Sequence, residues 1–123
     1  MHEKYPHLLT PLQVGNTTFR NRIFTAPIAL PSMQGKEAFP SRSVITHFAN
    51  KARGGAACVT STGVNIFHSM DDSLPVNYNV YDKKNLYGLA KLADRIHFYG
   101  AKASMELDAT GVRRPFLIVQ KMR

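Results

Sequence analysis

The chain has 123 residues, which is room for one modest domain. Its hydrophobic content of 44% is typical of a globular protein, and no run approaches the roughly 20 apolar residues that a membrane span requires. The formal charge of +8 comes from scattered lysines and arginines without a nucleic-acid motif, so we interpret it as a solvated basic surface and expect no nucleic-acid partner.

The first segments of the chain predict a hairpin and then a buried strand. The N-terminal stretch MHEKYPHLLTPL lacks the apolar core of a signal peptide, so we expect a cytoplasmic protein with no membrane partner. In LQVGNTTF, residues 12–19, apolar positions alternate and Gly15 can supply a tight turn, which predicts a β-hairpin. RIFTAPI, residues 22–28, predicts a short strand that is buried on both faces.

A helix and a second buried strand follow. Ser41 or Ser43 can cap the helix, and Gly54 with Gly55 can end it. Its apolar stripe is predicted to be Val44, Ile45, Phe48, Ala49 and Ala52. The run AACVTST predicts the strand and contains the single cysteine, Cys58, so we expect a buried, unreactive thiol and no disulfide.

The connection from the second strand to the second helix, residues 63–82, is about 20 residues long, and loops of that length are uncommon unless they have a function. Asp82 is predicted to cap the second helix. The side chains of this helix that are expected to face the core are those of Leu86, Leu89, Ala90, Ala93 and Ile96. AKASMEL predicts a third strand, in which alternation places Glu106 and Asp108 on one face.

The order of elements, a hairpin followed by β-α-β-α-β, is typical of an α/β protein with a parallel sheet. A dinucleotide-binding sheet would need G-x-G-x-x-G after its first strand, and this chain has a long, proline-broken loop there. A (β/α)8 TIM barrel tolerates such loops but needs about 250 residues and eight strands. We therefore predict the N-terminal part of a TIM barrel, an incomplete barrel with two open sheet edges.

The ends of the three strands are the expected functional positions, because active sites of TIM barrels lie at the carboxyl ends of their strands. The first end, residues 26–29, has no N–H at Pro27 and small side chains at Ala26 and Ala29, so that backbone can approach a flat ligand. The second, residues 60–63, is rich in hydroxyl groups. The third carries the carboxylates of Glu106 and Asp108.

At these points the chain resembles the Old Yellow Enzyme family, the FMN-dependent NADH:flavin oxidoreductases that include 2,4-dienoyl-CoA reductases and 2-enoate reductases. The motifs that carry the resemblance are LTPL at residues 9–12, VG at 14–15, NRI at 21–23 and AP at 26–27. KARGGAACVTSTGV and ASMELDATG follow in the family's order and spacing. The resemblance covers about residues 5–114.

The resemblance implies that residues 1–115 are the N-terminal portion of an FMN-binding TIM-barrel domain and that residues 116–123 are a non-matching tail. It implies that the flavin ring lies along Ala26, Pro27, Ile28 and Ala29. It places Ser61 at the polar edge of the flavin, and Glu106 where many relatives have a glutamine that hydrogen-bonds the pyrimidine part. A carboxylate at that position can only accept, which suits the flavin N3–H.

The resemblance also implies an activity. NAD(P)H would reduce FMN, which would pass hydride to the activated C=C bond of an enoate or enoyl substrate. The family's catalytic residues lie on later strands, and DATGVRRP lacks the histidine of the family's His-Ala-Gly-Arg segment, so we nominate no catalytic residue and no metal ligand.

Two alternatives from other classes stay open. The chain could be an inactive truncated or split fragment that docks on the rest of a barrel or forms a homo-oligomer. A small basic binding module is disfavoured because it leaves the N-terminal motifs unexplained.

Overall fold

The computed structural model describes residues 4–30, 33, 37–66 and 78–108, which form a β-hairpin followed by a parallel sheet and two helices. The hairpin joins β1, Leu12–Val14, to β2, Thr17–Phe19, with Leu12 opposite Phe19. Gly15 in the turn has a φ of 54°, a conformation that glycine adopts without steric cost. The predicted hairpin is confirmed at these positions.

The sheet is built around one long strand. Its members are β3, Phe24–Thr25; β4, Cys58–Asn65; β5, Tyr78–Asn79; and β6, Lys102–Asp108. The other three all pair with β4 in parallel. β6 follows β4 along its length, so β3 and β5 share the opposite edge of β4, one at its start and one at its end. The predicted order of parallel strands is confirmed, whereas β5 was not predicted.

The two helices are α1, Arg42–Arg53, and α2, Leu86–Phe98. Ser41 caps α1 by accepting a hydrogen bond at Oγ from Val44 N, which decides between the two predicted caps. The prediction that Asp82 caps α2 is wrong in detail. Asp82 caps a 3-10 turn, Lys83–Asn85, by accepting from Lys84 N, and α2 begins only after that turn.

The core lies between the sheet and the two helices. The buried side chains of α1 are Val44, Phe48, Ala49 and Ala52, as predicted apart from Ile45, which is only partly buried. The predicted face of α2 is wrong at three positions, because Leu92 is buried whereas Ala90 is exposed and Leu86 is 48% exposed. The helix starts after the 3-10 turn, and its inward stripe consists of Gly88, Leu89, Leu92 and Ile96.

The amino-terminal end of the sheet is held by two polar side chains that precede β3. Arg20 donates to three carbonyl oxygens, at Ala52, Ala56 and Tyr99, over 2.7–2.8 Å. Asn21 is buried; its Nδ2 donates to Gly55 O, and its Oδ1 accepts from the N–H of residue 23. These bonds join the hairpin segment to the carboxyl ends of both helices.

Apolar side chains on the outer strands of the sheet are exposed to solvent. Phe24 on β3 is 46% exposed, and on β6 Met105 is 41% and Leu107 is 63% exposed. Within the described ranges no helix is long and apolar enough to cross a membrane. Residues 67–77 of the long connection and the predicted tail, residues 116–123, lie outside the described residues.

Candidate functional site

The carboxyl ends of β3, β4 and β6 point toward the same end of the sheet, because the three strands are parallel. β4 separates β3 from β6, and neighbouring strands are about 4.8 Å apart. Across the sheet β3 and β6 are therefore about 10 Å apart. Along the sheet their ends are staggered, because Thr25 pairs with Val59 whereas Asp108 pairs with Asn65. The structure thus brings the end of β4 beside the end of β6, whereas β3 ends nearer the start of β4.

The segment after β3 is an exposed apolar surface. β3 ends at Thr25, whose Oγ1 accepts a hydrogen bond from Thr60 N at 3.3 Å, so that a side chain replaces the next backbone pair of the sheet. Residues 26–29 are all exposed, and Ile28 is 47% exposed. Proline supplies no N–H for a further ladder bond, and the chain leaves the edge of β4 at this point. The prediction that residues 22–28 form a strand buried on both faces is wrong, because β3 is only Phe24–Thr25 and residues 26–29 are exposed. Their place along a flavin ring stays a prediction.

A glycine and two carboxylates form a second part of the site. An ideal Cβ on Gly63 would lie 3.5 Å from Asp108 Oδ2 and 3.6 Å from Glu106 Oε2. The two carboxylates therefore share one face of β6, as predicted, and Gly63 leaves the space beside them unfilled. A β-bulge in β4 between Thr60 and Gly63 produces this alignment, because it pairs Gly63 with Glu106.

Ser61 is placed apart from these carboxylates. Its side chain is 2% exposed, its Oγ donates to Thr62 O at 3.1 Å, and it lines a cavity of about 220 Å³ between β4, β6 and α2. The hydroxyl thus lies on the helix-covered side of the sheet. A ligand on the side of Glu106 would meet the backbone of Ser61 and not its Oγ. The role of Ser61 at a flavin edge stays a prediction.

The titratable groups of the core support a structural role for their side chains. Cys58 is buried, as predicted, and burial raises the pKa of its thiol. Burial likewise raises the pKa of the Tyr78 hydroxyl on β5, so this tyrosine stays protonated. Burial and then the charge of Lys51 lower the pKa of His47, whose Nε2 has no hydrogen-bond partner. Within the described ranges no three histidine, cysteine or acidic side chains are grouped as a metal site.

Sequence reasoning missed the side chains that order the carboxyl end of β4. Asn79 on β5 accepts at Oδ1 from the buried Asn85 Nδ2 at 2.7 Å and from Asp82 N at 3.2 Å. Asn79 N also donates to Ala38 O at 3.1 Å. A two-residue strand carries no periodic signal, so the one available hint was the clustering of asparagines in NYNVYDKKN.

Comparison with known proteins places this arrangement among flavin-linked oxidoreductases. Residues 7–120 match the sequence profile of a family described as NADH:flavin oxidoreductase / NADH oxidase. The chain is 27% identical over 107 residues to NADH oxidase from Thermoanaerobacter brockii, covering 87% of this chain and 16% of that protein. It is 28% identical over 112 residues to dimethylamine dehydrogenase from a Hyphomicrobium species, covering 91% and 15%.

A solved structure shows the same fold. The old yellow enzyme from Trypanosoma cruzi superposes with a TM-score of 0.70 at 21% identity, covering 85% of this chain and 27% of that one. The predicted fold class, an incomplete TIM barrel, is confirmed. The chain spans less than a third of each of these three proteins. The profile match runs to residue 120, and the predicted domain boundary at residue 115 lies outside the described residues.

Proposed function

The chain belongs to the NADH:flavin oxidoreductase / NADH oxidase family, and we propose that its strands β3, β4 and β6 are the first three strands of a TIM barrel that binds FMN and oxidises NAD(P)H. The observation that carries the proposal is that an exposed, donor-poor segment and a pair of carboxylates follow or end parallel strands on the two sides of β4. When bound, FMN would supply the hydride transfer that side chains cannot perform.

The described residues fit a flavin ring in two respects. Residues 26–29 offer an exposed apolar surface with a proline in its middle, which suits the face or edge of a flat ring. Glu106 offers an acceptor to a ring N–H, and the missing side chain at Gly63 keeps the space beside that carboxylate open. These residues would bind and orient the ring, and none of them is assigned a proton transfer.

We propose that the substrate is a small molecule with an activated C=C bond, of the enoate or enoyl type. Support comes from the family membership and from the resemblance of the strand-end motifs to ene-reductase sequences. The catalytic groups would lie on the strands that complete the barrel. The activity is therefore proposed for the completed barrel and not for these three strands alone.

A second candidate is an inactive fragment whose open edges dock on another polypeptide. The exposure of Phe24, Met105 and Leu107 favours it, because unpaired apolar strand edges promote association. On this alternative the purified chain should aggregate or bind a hydrophobic dye, and its thermal unfolding should be broad. A sharp, cooperative transition of the monomeric chain would contradict the fragment interpretation.

The cofactor assignment can be tested in a chimera in which residues 7–108 replace the matched segment of the Thermoanaerobacter NADH oxidase. Glu106→Ala removes the proposed acceptor, and hydrogen bonds of charged groups contribute about 1.5–3 kcal/mol. We therefore expect the Kd for FMN to rise about 10-fold or more. Asp94→Ala is the matched control, because it removes a carboxylate from the exposed side of α2.

The outcome separates cofactor binding from turnover. Glu106→Gln should retain most of the affinity, because an amide oxygen also accepts a hydrogen bond. An FMN affinity that is unchanged in Glu106→Ala would remove Glu106 from the site. A chimera that binds FMN but oxidises neither NADH nor NADPH would leave the cofactor site standing and overturn the proposed reaction.

A further inference from the structure

A cleft on the helix layer lies apart from the strand ends. It has a volume of about 580 Å³ and is bounded by residues 37–45 on one side and residues 84–91 on the other. The first range contains the residues that precede α1 and the first turn of α1. The second contains the last residues before α2 and the first turns of α2. None of its lining residues belongs to residues 26–29, to residues 60–63 or to β6. A ligand here would not compete for the proposed flavin site.

The walls of the cleft are fixed by close packing. A Cβ on Gly88 would lie 2.8 Å from Phe39 Cβ, so only a glycine allows the segment before α1 to approach α2 this closely. The same segment is tied to the sheet, because Ala38 O accepts a hydrogen bond from Asn79 N at 3.1 Å. The cleft is therefore held from both sides by packing and by a backbone bond.

The rim of the cleft is positively charged. Arg42, Lys84 and Lys91 line it, and Glu37 is its one acidic lining residue. The first turns of α1 and α2 contain no acidic residue that would offset this charge. Lys91 Nζ lies 4.2 Å from the centre of the Tyr87 ring, which holds one ammonium group over an aromatic wall.

The interior of the cleft is apolar and open. Phe39 is 40% and Tyr87 is 70% exposed, and Pro40 and Ile45 are further apolar lining residues. Small-molecule sites have volumes of about 300–1,000 Å³, apolar walls and a few charged groups that fix orientation. We propose that this cleft binds a small organic anion in which a flat apolar body carries a phosphate or carboxylate group.

The charge pattern and the size together favour this ligand class. A neutral apolar ligand would leave three cations with Glu37 as the one acidic lining residue, and a bare inorganic anion would leave the aromatic walls open to water. A ligand with both parts places its ring against Tyr87 and Phe39 and its anionic group among Arg42, Lys84 and Lys91.

The test is a nuclear magnetic resonance titration of the full 123-residue chain with phenyl phosphate, compared with inorganic phosphate and with benzyl alcohol. Phenyl phosphate should shift the amide signals of Phe39, Lys84 and Tyr87 in a saturable way. The other two probes should bind about 10-fold more weakly, because each lacks one half of the ligand.

Variants distinguish specific binding at the cleft from nonspecific attraction of an anion to a basic protein. Lys84→Gln combined with Lys91→Gln should weaken phenyl phosphate binding about 10-fold, whereas Lys102→Gln, an exposed lysine on β6, should leave it unchanged. Circular dichroism of each variant checks that the helices are retained. The proposal is overturned if phenyl phosphate gives no saturable shifts at the cleft, if inorganic phosphate binds equally well, or if Lys102→Gln weakens binding as much as the double variant.

Discussion

Arg20 is predicted to stabilise the amino-terminal end of the sheet, and its replacement tests how much its hydrogen bonds contribute to the stability of the fold. Its Nη2 donates to Ala52 O and Ala56 O, both at 2.8 Å, and its Nη1 donates to Tyr99 O at 2.7 Å. One guanidinium therefore joins the end of α1, the approach to β4 and the end of α2. A cation at these two helix ends also complements both macrodipoles.

The size of the effect follows from these contacts. A hydrogen bond from a charged group contributes about 1.5–3 kcal/mol when it is buried, but Arg20 is exposed and water can replace part of what is lost. We expect Arg20→Met to cost about 2 kcal/mol for the three bonds together. Arg20→Lys should cost nearly as much, because one ammonium group cannot reproduce the fork that reaches three carbonyls. If the charge alone mattered, the lysine variant would be close to wild type.

The assay is native-state hydrogen exchange at two reporter amides, Gly54 N and Gly100 N, which close the ends of α1 and α2 by donating over 2.8 Å. A loss of about 2 kcal/mol should speed their exchange about 30-fold. Arg22→Met is the matched control, because the Arg22 side chain is exposed and its Nε makes one hydrogen bond, to a hydroxyl in the N-terminal segment. Exchange in Arg20→Met that is no faster than in Arg22→Met would refute the reasoning.

Three further predictions concern other parts of the fold. Gly88→Ala should destabilise the chain by about 1–2 kcal/mol in urea denaturation, because the clash with Phe39 outweighs the gain of about 1 kcal/mol in helix propensity; unchanged stability would contradict the close contact. Burial and the Lys51 charge lower the pKa of His47 below its usual 6.5, so the unfolded chain binds the proton first. Stability should therefore fall as the pH decreases from about 7 to about 5, and His47→Gln should flatten that dependence. Because Cys58 is buried and its pKa is raised, iodoacetamide should modify it about 10-fold or more slowly than in urea, and equal rates would show an open core.

Local sequence signals predicted the elements whose patterns are contained in short windows. Gly15 marks the hairpin turn, Ser41 marks the start of α1, and alternation in β6 places Glu106 and Asp108 on one face. Each of these depends on the conformation of one residue or on the period of one element. The order of elements then predicted the barrel, and the resemblance of the strand-end motifs predicted the family.

Long-range contacts explain what the sequence did not reveal. β5 exists because Tyr78 and Asn79 pair with the end of β4, and a two-residue strand has no period of its own. The bulge before Gly63 shifts the register between β4 and β6, which aligns that glycine with Glu106. The inward face of α2 depends on where the 3-10 turn ends, and boundaries of this kind follow from packing rather than from propensity.

The basic cleft also depends on long-range contacts that the sequence does not reveal. Arg42 and Lys91 are 49 residues apart in the chain, and nothing in the sequence indicates that they line one cavity. Their juxtaposition depends on the contact of Phe39 with Gly88, which forms only when α1 and α2 pack side by side. A scattered positive charge in the sequence thus becomes a local feature in the fold.

The central claim is that these three strands form the flavin-facing start of a family barrel, and the most direct measurement is the FMN content of the chimera with the Thermoanaerobacter NADH oxidase. We predict that the purified chimera retains about one FMN per polypeptide after gel filtration, since the apolar strand end and the carboxylate pair would be in place. A chimera that elutes at the same volume and has the same circular dichroism as the parent enzyme, but carries no flavin, would contradict the claim.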